Sequence, residues 1–308
     1  MDYNFDAIID RTNTNSIKYD HRAFGKPEGA IPLWVADMDF MTAAPIIRAL
    51  QKRCRHGIFG YSEIDDSYVK AIRHWYKKRY NWKIERDWLV PTPGVVFSIC
   101  AAIRAFTAPG DPVIIQQPVY HPFMSAVTDN GRDLITSQLI IEDGQYTIDY
   151  WDFESQIIRN NIKLFLLCSP HNPVGRVWTR QELLRMGDIC KRQGVTVISD
   201  EIHSDFVYSG HQHTVFADID ASIADITVTL TAPTKTFNIP GLQVANAFIP
   251  NDDLRARFVQ EIQKTGVAGA SLMGIAACRA AYERGAEWLD QLLPYLYGNI
   301  TYLQNFIA

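Results

Sequence analysis

The sequence predicts an α/β fold in which helices cover both faces of a mostly parallel β-sheet. Short apolar runs without polar alternation recur along the chain, which is typical of strands buried on both faces. Amphipathic segments separate these runs, so helical crossovers are expected to join successive strands. The chain has 308 residues, of which 47% are hydrophobic. That length suggests about two domains with a sizeable core.

The first two helices are predicted from the spacing of their apolar residues. In segment 43–55, Ile46, Ile47 and Leu50 recur at helical spacing, and Gly57 is a stop signal. Segment 67–80 has one apolar face and one basic face. We expect the basic face to be solvated rather than to bind a ligand. The glycine-containing segment between the two helices is predicted to be a turn that exposes Tyr61.

The middle of the chain alternates between strand and helix patterns. A strand at 88–90 leads through a Pro-Gly turn into a helix from residue 95 onward. The predicted strands that follow are 112–116, 133–140, 163–168, 195–199 and 225–230. The predicted helices that follow are 122–130, 150–160 and 179–193, with a hairpin-like turn at 142–146. After Pro250 the pattern changes to three helices, at 252–264, 267–282 and 287–308.

Charge, hydropathy and cysteine content argue against several classes of function. Lysine and arginine number 30 against 34 acidic residues, so the net charge of −4 does not favour nucleic acid or an acidic membrane surface. No apolar run approaches the ~20 residues needed to cross a bilayer, and the N-terminus lacks the features of a signal peptide. The five cysteines form no metal-binding pattern and are expected to be reduced thiols. A cytoplasmic protein without a metal is predicted.

Lys235 lies in the stretch LTAPTKTFNIPGL, residues 230–242, after a predicted strand. It is the only lysine or arginine between Arg192 and Arg255. Such a lysine either extends to the surface or serves as an amine nucleophile. Its position alone favours the surface interpretation, because most lysines are solvated.

Three further motifs follow predicted strands, where open α/β sheets place their ligand sites. They are PGVV at 93–96, SPHNPVGR at 169–176 and DEIHSD at 200–205. Each motif also has a structural interpretation: Asn172 can shape a turn, Asp200 can cap a loop and His203 can be a satisfied polar contact. A glycine turn before a helix is a weak phosphate signal when taken alone.

The segment WVADMDF, residues 34–40, is an apolar run interrupted by two acids. This pattern is unusual for a core strand. One interpretation is a loop in which Asp37 and Asp39 cap Thr42 and the helix that follows it. The alternative is a role in a functional site.

Together, the strand-end motifs favour a site for pyridoxal phosphate. An amine can form an imine with the cofactor's aldehyde, a carboxylate can pair with its ring nitrogen, and an amide can donate to its phenolate oxygen. The backbone amides of Val95 and Val96, at the start of a helix, can bind the phosphate. Hydroxyls from the threonine-rich tract, including Thr231 and Thr234, can add to this anion site.

The ordered set GVV, VYHPF, SPHNPVGR, DEIHSD and TAPTKTFNIPGLQ resembles the fold-type I pyridoxal-phosphate enzymes of the class I/II aminotransferase family. The resemblance runs from about Trp34 to the end of the chain. Within the family, the chain is most similar to the cystathionine β-lyase or C-S lyase branch, which includes the maltose-regulon modulator type. WVADMDF and KTFNIPGLQ are characteristic of that branch. The resemblance implies a transferase-like large domain that binds pyridoxal 5'-phosphate, together with a small domain.

The resemblance assigns roles to the principal site residues. It implies that Lys235 carries the cofactor as a Schiff base and, once released, removes the substrate's Cα proton. Asp200 is expected to pair with the pyridine nitrogen, Asn172 to meet the phenolate oxygen and Tyr120 to stack on the ring.

Four other residues receive roles that depend on the resemblance alone. Tyr61 is similar to the family's tyrosine that reaches across a dimer interface to the other subunit's phosphate, so a homodimer with shared sites is implied. His203 occupies a position where many relatives have a tyrosine near the phenolate. Trp34 and Asp37 are assigned to the substrate side of the site.

Two departures from the family pattern bear on function and completeness. Transaminating relatives usually carry a phosphate-binding arginine where this chain has Gln243, and the missing charge favours a lyase. The family pattern continues beyond Ala308 to an arginine that binds the substrate carboxylate, so a truncated chain is expected. The predicted division is an arm and the start of a small domain at 1–42, a large domain at 43–285 and an interdomain helix at 286–308.

The resemblance implies a cysteine-S-conjugate β-lyase that converts cystathionine or related amino acids to pyruvate, ammonia and a thiol. An amino-acid aminotransferase is the alternative, because both reactions share the removal of the Cα proton. A third interpretation is a regulatory relative without turnover, since some members of the branch bind a transcription activator.

Overall fold

The computed structural model describes residues 2–20, 30–267 and 269–308, and within these ranges it contains one eight-stranded sheet. The strands in chain order are β1 Leu89–Thr92, β2 Pro112–Gln117, β3 Asp133–Glu142, β4 Gln145–Ile148, β5 Leu164–Cys168, β6 Thr196–Asp200, β7 Thr227–Thr231 and β8 Ala245–Phe248. Their order across the sheet is β1-β8-β7-β6-β5-β2-β3-β4. The run from β7 to β3 is parallel, whereas β8 pairs antiparallel with both β7 and β1, and β4 pairs antiparallel with β3.

The helices follow the predicted order, and several end at the residues that the sequence indicates. Their bounds are α1 Ala44–His56, α2 Asp66–Tyr80, α3 Val95–Phe106, α4 Pro122–Thr128, α5 Tyr150–Arg159, α6 Arg180–Gln193, α7 Ala221–Ala224, α8 Pro233–Thr236, α9 Asp252–Lys264, α10 Leu272–Arg284 and α11 Ala286–Ile307. Gly57 ends α1 in the left-handed conformation, with φ +75°. Thr179 and Glu182 form a capping box at the start of α6. Within the described residues, no helix has the length and apolar character needed to cross a membrane.

Alternate residues of the parallel strands pack into two separate cores, one on each face of the sheet. Ile114, Phe165 and Leu167 share a core with apolar residues of α5 and α6. The neighbouring residues Leu164 and Leu166 pack with residues of α3, α4 and α9. A strand points successive side chains to opposite faces, so continuous apolar runs are needed when both faces are covered. The predicted α/β fold is confirmed.

A third core lies where α1, α2 and α10 meet the first turns of α11. Its largest buried side chains include those of Trp75, Tyr282 and Trp288. The N-terminal arm lies on this core, because Phe5 contacts Trp288 with ring centroids 5.8 Å apart. Residues 2–20 contain no regular helix or strand, and residues 1 and 21–29 lie outside the described part of the chain.

Several elements differ from the sequence prediction. The helices α7 and α8, of four residues each, were not predicted. Strand β8 was not predicted, because it is only four residues long and contains the polar Asn246. In the fold, Tyr68 donates a hydrogen bond of 2.8 Å to the buried Asn246 Oδ1, which satisfies that polar group. The helix predicted at 267–282 begins later, at Leu272, where Ser271 accepts a hydrogen bond from Gly274 N.

Gly285 joins α10 to α11 and has no room for a side chain. A Cβ atom there would lie 2.4 Å from Phe237 Cε1 and 2.5 Å from the carbonyl oxygen of Ala281. We expect Gly285→Ala to lower the free energy of unfolding by about 1–3 kcal/mol through overpacking. Denaturant unfolding measures this effect. The control is Gly298→Ala in α11, where an added Cβ meets nothing within 4 Å, and equal losses in both variants would contradict the prediction.

Candidate active site

A cavity of about 190 Å³ lies where the carboxyl ends of β5 and β6 meet the segment after β7. It is lined by Ala36, Val95, Val96, Tyr120, Cys168, Asn172, Asp200, Ile202, His203 and Lys235. Seven of these residues are among the site residues predicted from the sequence. The parallel strands end at the same edge of the sheet, which brings together residues that lie far apart in the chain.

The first turn of α3 presents Val95 and Val96 to the cavity. The first helical hydrogen bond runs from Ser98 N to Gly94 O, at 3.0 Å. The earlier amides of the helix therefore have no intrahelical acceptor, and the positive end of the helix dipole lies at the same place. Gly94 adds no side chain that would block an approaching group. This arrangement fits a phosphate.

Asp200 ends β6 and is buried, with 5% of its surface exposed. Its Oδ1 accepts a hydrogen bond of 3.1 Å from Ile202 N. Burial raises the pKa of this carboxyl group to about 7, because a charged carboxylate is poorly solvated there. A buried acid of this kind fits a cationic N–H donor, such as a protonated ring nitrogen.

Lys235 lies in the short helix α8 and extends its amine into the cavity. Its Nζ donates a hydrogen bond of 2.8 Å to the carbonyl oxygen of Ala36. Burial lowers the pKa of the amine, and the carboxylates of Asp37 and Asp200 oppose that shift. The uncharged form, which is the nucleophile, is therefore easier to reach than for a solvated lysine. The surface interpretation of Lys235 does not describe its position.

The remaining polar wall of the cavity consists of Tyr120, Asn172 and His203. Tyr120 N donates a hydrogen bond of 3.0 Å to Asn172 O, which joins the loops after β2 and β5. Burial raises the pKa of the Tyr120 phenol. Burial and the charge of Lys235 lower the pKa of His203 to about 4, so its imidazole is neutral at pH 7.

Five predicted site residues lie outside the wall of this cavity. Thr231 and Thr234 are buried, and the part of the phosphate site assigned to their hydroxyls stays a prediction. Tyr61 is fully exposed in the segment before α2, and Trp34 is also exposed. The carboxylate of Asp37 is bound by Arg11.

The interpretation of Asp37 and Asp39 as caps of Thr42 and α1 is wrong. Helix α1 begins after Ala43 without a hydrogen bond from a capping side chain. Instead, the Asp37 carboxylate accepts two hydrogen bonds of 3.0 Å from Arg11, and Asp39 accepts one of 2.7 Å from Arg11. A bidentate pair between a carboxylate and a guanidinium is stronger than a single hydrogen bond from a backbone amide.

Ala36, Cys168 and Ile202 line the cavity but were not predicted as site residues. Ala36 and Ile202 carry no polar side chain, so composition offers no signal for them. Cys168 Sγ accepts a hydrogen bond of 3.4 Å from Asn172 N and so helps to hold that loop. The adjacent motifs, WVADMDF and SPHNPVGR, are the features that could have directed attention to Ala36 and Cys168.

Comparisons with known proteins agree with this geometry. The sequence profile described as "Aminotransferase class I and II" matches residues 29–305. Cystathionine beta-lyase PatB from Bacillus subtilis (strain 168) is 43% identical over 307 residues, covering 99% of this chain and 79% of that protein. Protein MalY from Escherichia coli (strain K12) is 36% identical over 307 residues, covering 98% and 78%. The crystal structure of cystalysin from Treponema denticola, which contains a pyridoxal 5'-phosphate cofactor, has a TM-score of 0.96 at 40% identity, covering 99% of this chain and 78% of that chain.

Proposed function

The chain belongs to the class I and II aminotransferase family, and from that premise we propose that it is a carbon–sulfur β-lyase dependent on pyridoxal 5'-phosphate. One observation carries the proposal: a single cavity joins an amine, a buried acid and a helix N-terminus. Among relatives of this chain, the names cystathionine beta-lyase and C-S lyase recur. Gln243, which replaces a cofactor-site arginine of transaminating relatives, also favours the lyase.

The cavity residues fit the functional groups of the cofactor. Lys235 would bind its aldehyde carbon, and Asp200 would face its ring nitrogen. The amides of Val95 and Val96 would bind its phosphate, and Asn172 would donate to its phenolate oxygen. Tyr120 would lie against the ring, and His203 would lie near the phenolate side. When bound, the cofactor supplies an electron sink for bonds that break at the α-carbon of an amino acid.

The residues of this chain then move and hold protons. The Lys235 amine has a lowered pKa and is positioned to accept the substrate's Cα proton at Nζ. The resulting ammonium would keep the Ala36 carbonyl as its acceptor, and the carboxylates of Asp37 and Asp200 would stabilise its charge. Asp200 remains ionised when a cation lies opposite, because attraction offsets the cost of burial.

The proposed substrate class is cystathionine and related cysteine S-conjugates. The overall reaction takes the amino acid and one water to pyruvate, ammonia and a thiol. Trp34 is exposed beside the segment that carries Ala36, and we propose that it contacts the substrate. Asp37 is bound by Arg11, so we propose that it acts by holding this segment.

A direct test is to mix the protein with pyridoxal 5'-phosphate and cystathionine and to follow pyruvate and free thiol. Equal amounts of both products without an added keto acid are expected for a lyase. If substrate is converted only when a second keto acid is supplied, the lyase proposal fails and the aminotransferase interpretation holds. If the mixture forms no yellow chromophore that borohydride bleaches, the non-catalytic interpretation holds.

We also propose that residues 43–285 form the large cofactor-binding domain. Every residue that lines the cavity, except Ala36, lies in this range. Residues 1–42 would form an arm and the start of a small domain, and residues 286–308 a helix that joins the two domains. Contact between Phe5 and Trp288 supports the association of the arm with that helix.

We propose a homodimer in which Tyr61 contributes to the phosphate site of a second subunit. Ile58, Phe59 and Tyr61 are all largely exposed in the segment between α1 and α2. Adjacent large apolar side chains that face water are typical of an interaction surface.

Tyr61→Phe is expected to weaken cofactor binding by roughly 10-fold, because it removes one hydrogen bond to a charged group. Sedimentation should remain that of a dimer, since the apolar ring is kept. Cofactor titration and sedimentation velocity measure the two effects. Tyr302→Phe, at another exposed tyrosine, is the control. Unchanged affinity in a dimeric Tyr61→Phe protein would exclude the proposed role of the hydroxyl.

A further inference from the structure

The motifs WVADMDF and KTFNIPGLQ, which lie about 200 residues apart in the chain, contact each other directly. The side chain of Asn238 joins them. Its Oδ1 accepts a hydrogen bond of 2.9 Å from Met38 N, and its Nδ2 donates to Met38 O at 2.8 Å and to Phe40 O at 2.9 Å. The amide therefore uses both of its donors and its acceptor on one segment of backbone.

Asn238 is also fixed to the turn that carries Lys235. Its φ of +54° lies in the left-handed region, where asparagine is tolerated better than most residues. Its backbone N–H faces the carbonyl oxygen of Lys235 at 3.4 Å, and the following Ile239 N donates to Thr234 O at 3.0 Å. A movement of Asn238 would thus change the position of the lysine turn relative to segment 36–40.

Arg11 and Lys18 also bind this segment. Arg11 binds the carboxylates of Asp37 and Asp39 and donates to Met38 O at 3.1 Å. Lys18 donates to Asp37 O at 3.0 Å and pairs with Asp39 at 2.9 Å. Segment 36–40 is consequently held by these cations as well as by Asn238.

We propose that Asn238 is a positioning residue for Lys235, because it fixes segment 36–40 so that the Ala36 carbonyl accepts a hydrogen bond from the lysine amine. An ammonium in a poorly solvated cavity needs an acceptor, and Ala36 O supplies one at 2.8 Å. The same bond limits the conformations of a long, flexible side chain. The catalytic consequence rests on the proposed function, in which Lys235 Nζ accepts the substrate proton.

The first experiment uses the protein without cofactor. Asn238→Gly keeps the left-handed backbone accessible and removes all three side-chain hydrogen bonds. In segment 36–40, hydrogen exchange of the Met38 amide is expected to accelerate by more than roughly 10-fold, since that N–H loses its acceptor, Asn238 Oδ1. Asn161→Gly, at an exposed asparagine with φ +51°, is the matched control and should leave that segment unchanged.

Labelling of the Lys235 amine reports on its position in the same cofactor-free protein. Loss of the Ala36 acceptor removes a contact that favours the ammonium and increases access to the amine. Both effects raise its reactivity, so labelling by an acylating reagent should be roughly 3- to 10-fold faster in Asn238→Gly. Mass spectrometry measures the rate at Lys235, with Lys264 in the same sample as an internal reference. Unchanged labelling at Lys235 would overturn the inference, even if the rate of turnover changed.

Turnover is expected to change in the opposite direction from labelling. With cofactor and cystathionine, Asn238→Gly is expected to lower kcat by roughly 10- to 100-fold, because misplacement of a proton acceptor slows its reaction. KM should change less than kcat. Faster labelling together with normal kcat would overturn the positioning role. If the wild-type protein binds no cofactor, the proposed function fails. The labelling result then tests by itself whether Asn238 positions the Lys235 amine.

Arg11→Gln tests the inference without altering the lysine turn. It loosens segment 36–40 by removing the pairs with Asp37 and Asp39. The same combination of faster labelling at Lys235 and lower kcat is expected. A variant of the comparable ion pair Arg104–Glu261, Arg104→Gln, is the control, and equal effects in both variants would contradict a specific role.

Discussion

Lys235→Ala is expected to lower kcat/KM for cystathionine by at least roughly 1,000-fold. In the proposed function the amine both binds the cofactor and accepts the substrate proton, and general base catalysis alone contributes on the order of 100- to 10,000-fold. The substitution removes the only side chain that donates to the Ala36 carbonyl within the described residues of the cavity. Steady-state pyruvate formation measures the loss.

Lys235→Arg separates amine chemistry from charge. Arginine keeps the positive charge but does not lose a proton near neutral pH, so it can neither form an imine nor accept the Cα proton. We expect Lys235→Arg to be as inactive as Lys235→Ala. Lys264→Ala is the control, because that lysine is largely exposed and pairs with Glu261 on α9. Retention of activity in Lys235→Arg would show that Lys235 acts only as a charge.

Asp200→Asn is expected to lower kcat by roughly 100- to 1,000-fold, the range for removal of a preorganised electrostatic partner. Asparagine has the same shape but carries no charge that would keep the ring nitrogen protonated. Weaker cofactor binding is also expected, because the ring would lose its proposed ionic partner. Asp188→Asn, at an exposed aspartate of α6, should leave activity unchanged. Full activity of Asp200→Asn would exclude the assigned pairing.

The same substitution is expected to stabilise the cofactor-free protein at high pH. Burial raises the pKa of Asp200 from 3.8 to about 7, so the folded state keeps its proton after the unfolded state has lost it. Stability is therefore lost as the pH rises from about 4 to about 7, by on the order of 4 kcal/mol. Asparagine does not titrate and avoids this loss.

Denaturant unfolding of the two cofactor-free proteins at pH 4 and pH 8 checks the sign. The difference in unfolding free energy should favour Asp200→Asn more at pH 8 than at pH 4. A difference that is the same at both values would show that the carboxyl pKa is not raised by burial. An active-site acid that destabilises the fold is expected when its charge is needed for function.

Most of the helices and strands could be predicted from local sequence patterns. Continuous apolar runs marked the parallel strands, and Gly57 marked the end of α1. Each signal is contained within a few residues, because periodicity and capping depend on near neighbours. Strand β8 was not predicted, because a run of four residues that includes a buried asparagine has almost no strand pattern.

The order of motifs at strand ends was also sufficient to predict a shared site. Parallel strands place their carboxyl ends at one edge, so Asn172, Asp200 and Lys235 had to lie close together once the strands were recognised. Family resemblance added the cofactor and the roles of these residues. The presence of a shared site therefore follows from the types of residue and their order in the chain.

Tertiary structure alone decided what surrounds Lys235. Asp37 and Asp39 pair with Arg11 rather than cap α1, and Asn238 binds the backbone at Met38. No local pattern specifies contacts between segments that are 26 to 200 residues apart, because these contacts depend on how the whole chain packs. The sequence by itself determined that a lysine follows a buried strand, whereas the fold decided that a backbone carbonyl holds its amine.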